Sequence, residues 1–125
     1  MSVQSFDPEG MKYSGMSQAV KAGGWIYVSG QVALKDGEVT GIGDSRAQAR
    51  QAFENIAAVL DEAGASLADV VKLTCFLTEK SAYEGFAEIK NSLFSDNPPA
   101  STVVIIDELL LPDLLMEVEA QAWVE

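Results

Sequence analysis

The sequence predicts an α+β fold, a two-layer sandwich in the order β-β-α-β-α-β-β, with two amphipathic helices on one face of a mixed sheet. Three observations lead there. Two segments repeat their apolar residues at helical spacing, five shorter ones read as strands, and glycine- or proline-containing breaks separate them at short intervals. The length of 125 residues suits one domain, taken as residues 1–125, and an apolar fraction of 48% is enough for a single core and against a disordered chain.

The first two strands are expected at Gln18–Lys21 and Trp25–Leu34, joined through Ala22-Gly23-Gly24, a hairpin signal. Asp36-Gly37 is a second turn signal. In SRAQARQAFENIAAVLDEAG, residues Ala49, Ala52, Phe53, Ile56, Val59, Leu60 and Ala63 make one stripe of a helix. Ser45 with Gln48 three residues on fits a capping box, and Gly64 suits a left-handed stop. A strand follows at Val70–Thr78. The second helix runs from about Ser81 to Ser95, opens with Ser81 and Glu84 in the same capping relation, and buries Ala82, Phe86, Ile89 and Leu93. Asn97-Pro98-Pro99 terminates it. Strands at Ser101–Ile106 and Leu115–Val124 complete the sheet.

Two helices cover one face of such a sheet. Around Trp25–Ser29 both alternating sets are apolar, Trp25 and Tyr27 on one face and Ile26 and Val28 on the other, and Ser101–Ile106 is almost wholly apolar after its first two residues. Strands apolar on both faces need cover on both. The sequence therefore predicts that the second face packs against other copies of the chain in a closed oligomer.

Charge narrows the function. Eight basic and nineteen acidic residues give a net charge of −11, which opposes a nucleic-acid partner, because such binding rests on clustered Lys and Arg. The chain has no histidine, which removes Ser-His-Asp and Cys-His machinery, imidazole metal sites and the usual ribonuclease acid–base pair. Acid–base chemistry is left to carboxylates, Tyr, Lys, backbone or water. The single cysteine, Cys75 in KLTCFLT, reads as a small buried hydrophobe and suits a reducing, cytoplasmic setting. The start MSVQSFDPEG lacks the pattern of a signal peptide, and the apolar runs are too short to span a bilayer, so no membrane partner is expected.

Three polar intrusions into the strands are candidate sites. Ser29 in YVSGQV ends an apolar run beside Gly30, where a ligand, another backbone or a simple strand bulge fits. Glu117 and Glu119 in LMEVEAQAW share one strand face with Gln121 and Trp123, while Met116, Val118, Ala120 and Ala122 share the other. Two carboxylates on one face can bind or activate water, or simply be solvated. Ser101-Thr102 in NPPASTVV can hold a neutral polar ligand through hydroxyls, or bond local backbone instead. No phosphate loop, metal-ligand cluster or dinucleotide fingerprint is present.

The segments SQAV, YVSGQV, QARQAFENIAAVLDEAGASLADVVK, FLTE, PPA and MEVEA together resemble the YjgF/RidA family, also labelled L-PSP. The resemblance covers nearly the whole chain. It implies a chorismate-mutase-like fold, a homotrimer with a central barrel, ligand clefts at subunit interfaces, and hydrolysis of reactive 2-imino acids to 2-keto acids and ammonia without a cofactor. It also implies roles: Ser29 matches the family's serine in SGQ, with Gly30 beside it, and Glu117 matches the late-strand glutamate associated with water activation. Other positions depart. Ser101 stands where an arginine usually follows Pro-Ala, Met16 stands where a tyrosine usually precedes SQAV, with Tyr13 three positions earlier, and the asparagine often found in the second helix falls near Ala87.

The missing arginine matters most. Losing one member of a buried charge pair costs about 2–5 kcal/mol, and the Ser101 hydroxyl does not replace it. Lys72 and Lys90 are the cations left to consider. An ordinary 2-imino acid is then poorly served, and a neutral or differently anchored ligand fits better. The leading expectation is a divergent hydrolase of an imine, enamine or related carbonyl-nitrogen compound, with Glu117 handling water and Ser29, Gly30, Met16, Ser101 and Thr102 around the ligand. The alternative is a trimeric small-molecule binding or sensing protein. A ribonuclease, which one family label implies, conflicts with the charge and the absent histidine.

Overall fold

In the computed structural model, which describes residues 2–125, six strands form one sheet and two helices lie across it. In chain order the elements are β1 (Val3–Phe6), β2 (Ala19–Ala22), β3 (Trp25–Gln31), β4 (Leu34–Lys35), β5 (Glu38–Val39), α1 (Ser45–Glu62), β6 (Val70–Leu77), α2 (Tyr83–Leu93), β7 (Ala100–Ile105) and β8 (Met116–Trp123). The sheet order is β1-β2-β3-β8-β6-β7, and β4 and β5 form a separate hairpin. Only β6 and β7 pair in parallel, joined through α2, so the sheet is mixed as expected. The last strand, β8, lies in the middle, antiparallel to β3 on one side and β6 on the other.

Alternation along β8 divides the molecule. Met116, Val118, Ala120 and Ala122 are buried under the helices beside Ile26, Val28, Leu73, Cys75 and Leu77. The predicted stripe of α1 is buried in full. Phe53 stacks on Phe86 at 5.9 Å between centroids and meets Phe94 edge-on at 5.7 Å, tying the two helices together. Cys75 is fully buried, and burial pushes its thiol up to about 12, so it behaves as a hydrophobe. Gly85 permits the close helix crossing: a β-carbon there would overlap the Ser45 hydroxyl and approach the Arg46 amide nitrogen to 2.8 Å.

Several boundaries differ from the sequence expectation, each for a local reason. The expected strand Trp25–Leu34 stops at Gln31, because Val32 and Leu34 turn their carbonyls to the Asn55 amide (2.9 Å each) instead of a neighbouring strand. Leu34 then opens the β4–β5 hairpin, whose turn is Asp36-Gly37, both at positive φ (52° and 81°). The strand β1 was not expected; its four residues are mostly exposed and show no apolar alternation. It adds an edge to β2.

Neither expected capping box forms. Asp44 caps α1, its Oδ1 accepting from the Ala47 amide at 3.0 Å, and its charge also suits the positive helix end. Ser81 lies in a 3₁₀ turn ahead of α2, and its hydroxyl donates to Glu79, so the α-helix starts only at Tyr83 with no side-chain cap. At the other end α2 stops at Leu93, ahead of the proline pair, and the helical period stops with it. Leu93, the last helical residue, is exposed, and Phe94, which caps the helix, is buried. Gly64 does take the left-handed conformation, with φ 81°.

Gln48 has a different role from the one its spacing suggested. Fully buried, its Nε2 donates to Gly41 O (3.1 Å) and Asp113 O (2.9 Å), and its Oε1 accepts from the Leu115 amide (2.9 Å). One side chain thus fastens the loop before α1 and the entry to β8. Gln48→Met keeps the volume and strands these three backbone groups. Unsatisfied buried groups cost about 1–3 kcal/mol each, and partial rehydration reduces the sum, so a loss of about 2–5 kcal/mol is expected in urea unfolding monitored by circular dichroism.

Candidate functional site

The site is built on an irregularity between β3 and β8. Val28 lies opposite Ala120, but the next pair is Gln31 with Val118, so one extra residue is accommodated at Ser29-Gly30. The bulge expected of this segment is present, and the same two residues line a cleft. A chain of buried amides holds it. Gln31 Nε2 donates to Ser29 O (3.0 Å) and to Gln18 Oε1 (2.7 Å), and Gln18 Nε2 donates to Met11 O (2.7 Å). Gln18 and Gln31 are nearly inaccessible to solvent, and among the described residues no buried side-chain nitrogen or oxygen lacks a partner. The glutamines occur in SQAV and SGQV, but sequence reasoning gave them no role. Their only signal is an amide at the end of an apolar run.

Ser29 is held at both ends. Its amide donates to Gln18 O at 2.8 Å, and its hydroxyl donates to Ser17 O at 2.7 Å. The hydroxyl proton is thereby committed, and what Ser29 offers a ligand is an acceptor. Gly30 sits against the Glu117 side chain so closely that a β-carbon would overlap the carboxylate. The glycine is there for space, since its backbone is not among those at positive φ.

Beside the bulge opens a cleft of about 570 Å³. Ser29, Gly30 and Glu117 contribute to it from β3 and β8, Met11 and Met16 from the segment before β2, and Leu34 from the hairpin. Tyr13, Asn55 and the Asp36-Gly37 turn also line it; of these Tyr13 alone was considered near the site from the sequence, Asp36-Gly37 having been read as a turn. Glu117 is half-buried, and its carboxyl is held above the usual carboxylate range, chiefly by burial and then by the neighbouring charge of Glu119. Glu119, two residues on and more exposed, borders a separate cavity of about 300 Å³ with Tyr27, Lys72 and Thr74.

Four of the sequence candidates, Met16, Ser29, Gly30 and Glu117, therefore meet in one cleft. Ser101 and Thr102 lie outside it on β7, the sheet edge, and they do not act as a pair. Ser101 is in register with Leu73, whose side chain is on the helix face, and Thr102 with Thr74 on the open face. Strand alternation sends the two hydroxyls apart. Thr102 Oγ1 accepts from Lys72 Nζ at 2.6 Å. Lys90 lies over the Phe86 ring at 5.9 Å and contributes nothing to the cleft.

Gly30→Ala tests the contact on which this geometry turns. The obstructing atoms are the far end of a flexible side chain, so the fold is expected to survive with its melting temperature within a few degrees. The carboxylate is displaced toward solvent, and the Glu117 pKa falls toward the ordinary carboxylate range. Carbon-13 NMR titration of the glutamate carboxyl groups reads the shift.

The comparisons with known proteins agree with this architecture. The family model described as Endoribonuclease L-PSP matches residues 11–124. A RutC family protein of Pyrococcus abyssi is 40% identical over 111 residues, covering 87% of this chain and 86% of that protein. A 2-iminobutanoate/2-iminopropanoate deaminase of Dermatophagoides farinae is 34% identical over 95 residues, covering 74% and 73%. The crystal structure of a YjgF/UK114 family member from Mycobacterium tuberculosis superposes with a TM-score of 0.85 at 32% identity, covering 98% of this chain and all of that one. The sandwich of two helices on a mixed sheet is thus the chorismate-mutase-like fold of that family. On this evidence of sequence and fold together, the chain belongs to the L-PSP family, with the RutC and YjgF/UK114 proteins among its relatives.

Proposed function

We propose that the protein is a cofactor-independent deaminase that hydrolyses a reactive imine or enamine to a carbonyl compound and ammonia in the cleft beside Glu117. The observation that carries this reading is a half-buried carboxyl, held above its usual range, on the floor of a cleft with partly apolar walls. The deaminase among the relatives gives it a chemical precedent.

The residues divide the work as follows. Glu117, ionised, takes a proton from water as the water oxygen bonds to the imine carbon, giving a carbinolamine. With the imine nitrogen protonated at the outset, the carbinolamine is neutral. The protonated carboxyl gives its proton to the amino nitrogen. As the carbon–nitrogen bond breaks, the carboxylate takes the hydroxyl proton, so that the carbonyl forms, ammonia leaves, and the last proton passes to it, giving NH4⁺. A carboxyl with a raised pKa is better matched to these transfers than an ordinary one. Ser29 accepts a hydrogen bond from the ligand or the water, Gly30 leaves room for the carboxylate, and Met16 packs on the substrate.

In this reading the chain works as a homotrimer with a central barrel, in the cytoplasm. Exposed Trp25, Tyr27, Trp123 and Val104 on the sheet face that no helix covers support self-association. A neighbouring copy would bring the β7 edge, with Ser101 and Thr102, to the cleft. The ribonuclease implied by the family model's description is disfavoured by the net charge of −11 and the absence of histidine.

A second reading, a small-molecule binding or sensing protein without turnover, is favoured by one observation: the proton of Ser29 is already donated to Ser17 O, so the serine has none to give a substrate. Glu117→Gln separates the two. Hydrolysis of oxidase-generated imines is expected to fall by roughly 10²- to 10⁴-fold, while a carbonyl product still binds. Wild-type hydrolysis no faster than buffer across a panel of imines would leave the binding reading.

The pH dependence follows from the sign of the shift. The base form of Glu117 acts, so kcat/KM rises with pH through a midpoint above the ordinary value of about 4.3, and Glu119→Gln moves that midpoint down. A folded-state pKa above the unfolded one stabilises the fold below the unfolded pKa, a contribution lost as pH rises through the folded pKa. At pH 7 the ionised carboxylate is therefore a burden on the fold. Glu117→Gln is expected to raise the melting temperature there, as read by calorimetry.

A further inference from the structure

The charges lining the cleft point beyond imine hydrolysis to one kind of imine. Glu9 and Asp36 stand among the residues around it and Glu117 on its floor, against a single lining cation, Lys35. Lys35 is exposed and lies in register with Glu38 across the hairpin, with Asp36 next to it in sequence. Asp36 is fixed by its turn, at φ 52°, so its position belongs to the built hairpin. The β7 edge, with Ser101 and Thr102 on opposite faces, carries no arginine. Its nearest cation, Lys72, already donates to Thr102 Oγ1 and shares its cavity with Glu119.

Beside Ser29, Gln31 and Asn55, the uncharged lining includes an apolar part. Met11, Met16, Leu34 and Leu110 line the cleft, and Leu110 is 97% exposed in the free chain. A ligand that covers these groups with hydrocarbon gains by removing them from water. A ligand that brings a carboxylate places it among three acids. A protonated imine nitrogen in the same place is attracted by them.

Resting on the imine-hydrolase reading, we propose that the cleft selects imines with an apolar substituent and no acid group, as formed by two-electron oxidation of primary amines, over imines of amino acids. The reaction balances as R–CH=NH2⁺ plus water giving R–CHO plus NH4⁺. The water oxygen forms the new bond to carbon, the carbon–nitrogen bond breaks, both water protons end on nitrogen, and no oxidant or reductant is consumed. A reaction that supplies this substrate is an amine oxidation. One that consumes the product acts on an aldehyde.

A matched pair of substrates tests it. 2-Phenylethylamine with an amine oxidase, and L-phenylalanine with an L-amino-acid oxidase, give imines of the same side chain that differ by the carboxylate. Catalase removes peroxide, and competition with semicarbazide reads the imine that escapes hydrolysis. The amine-derived imine is expected to be hydrolysed at least about tenfold faster at equal protein, from the charge terms alone.

Equal or faster hydrolysis of the phenylalanine-derived imine overturns the selectivity while leaving the hydrolase reading intact. No acceleration of either imine overturns both. In the double variant Glu9→Gln, Asp36→Asn the preference is expected to shrink roughly 3- to 10-fold, and an unchanged ratio there counts against the charge argument. Leu110→Ser is expected to raise KM for the amine-derived imine roughly 3- to 10-fold, and an unchanged KM there counts against the apolar-wall argument.

Discussion

The structure depends on the insertion of β8 between β3 and β6. A strand in that position has partners on both sides and a sheet face on each of its own. Its even-numbered residues from Met116 to Ala122 complete the core under the helices, and its odd-numbered residues lie on the face the helices leave uncovered. The chain therefore cannot vary β8 freely. A one-residue slip would bury Glu117 and Glu119 under α1 and expose Met116 and Val118. Gln48, fastened to Leu115 at the entry to the strand, holds the register against such a slip.

Placing a carboxylate on a central strand is costly unless something gives way beside it. Here β3 gives way. The bulge at Ser29-Gly30 removes a side chain where Glu117 needs room and turns the β3 backbone toward the cleft. The bulge in turn has polar groups to satisfy, and the Gln18 and Gln31 amides do this from positions almost closed to water. The cleft, the glycine, the raised pKa of Glu117 and the two buried glutamines are thus consequences of a single local break in strand pairing.

The parts of the fold legible in the sequence were those written in periodicity. The α1 stripe, the two faces of β8, the burial of Cys75 and both hairpin turns follow from spacing and from glycine, and they stand. Where one residue's role depends on a distant backbone group, spacing was silent or misleading. Gln48 fits a capping box by position, yet it bonds Asp113 and Leu115, over sixty residues away. Asp44 was overlooked beside Ser45 because both residue types cap helices. Phe94, the residue after the last helical turn, took the buried place expected of Leu93, which is helical and yet exposed. Of the site, Glu117, Ser29, Gly30 and Met16 were found through motif and alternation. Ser101-Thr102 was read as a unit because the residues are neighbours, whereas adjacent strand residues face opposite ways.

The distribution of charge reconciles an acidic chain with an apolar sheet face. A net charge of −11 disfavours close approach of identical copies if it is spread evenly. The helices on the far side carry exposed Glu54, Asp61, Glu62, Glu84 and Glu88, but Arg46, Arg50 and Lys90 offset most of that charge, with Arg46 paired to Glu88. The open face instead carries Trp25, Tyr27 and Trp123, the two tryptophans meeting edge to face at 5.0 Å. Copies that approach through this face keep their helical carboxylates about two layers apart, a separation over which salt screens most of the repulsion. The same segregation leaves Glu9, Asp36 and Glu117 as a local acidic field at the cleft, screened less where it is half-buried.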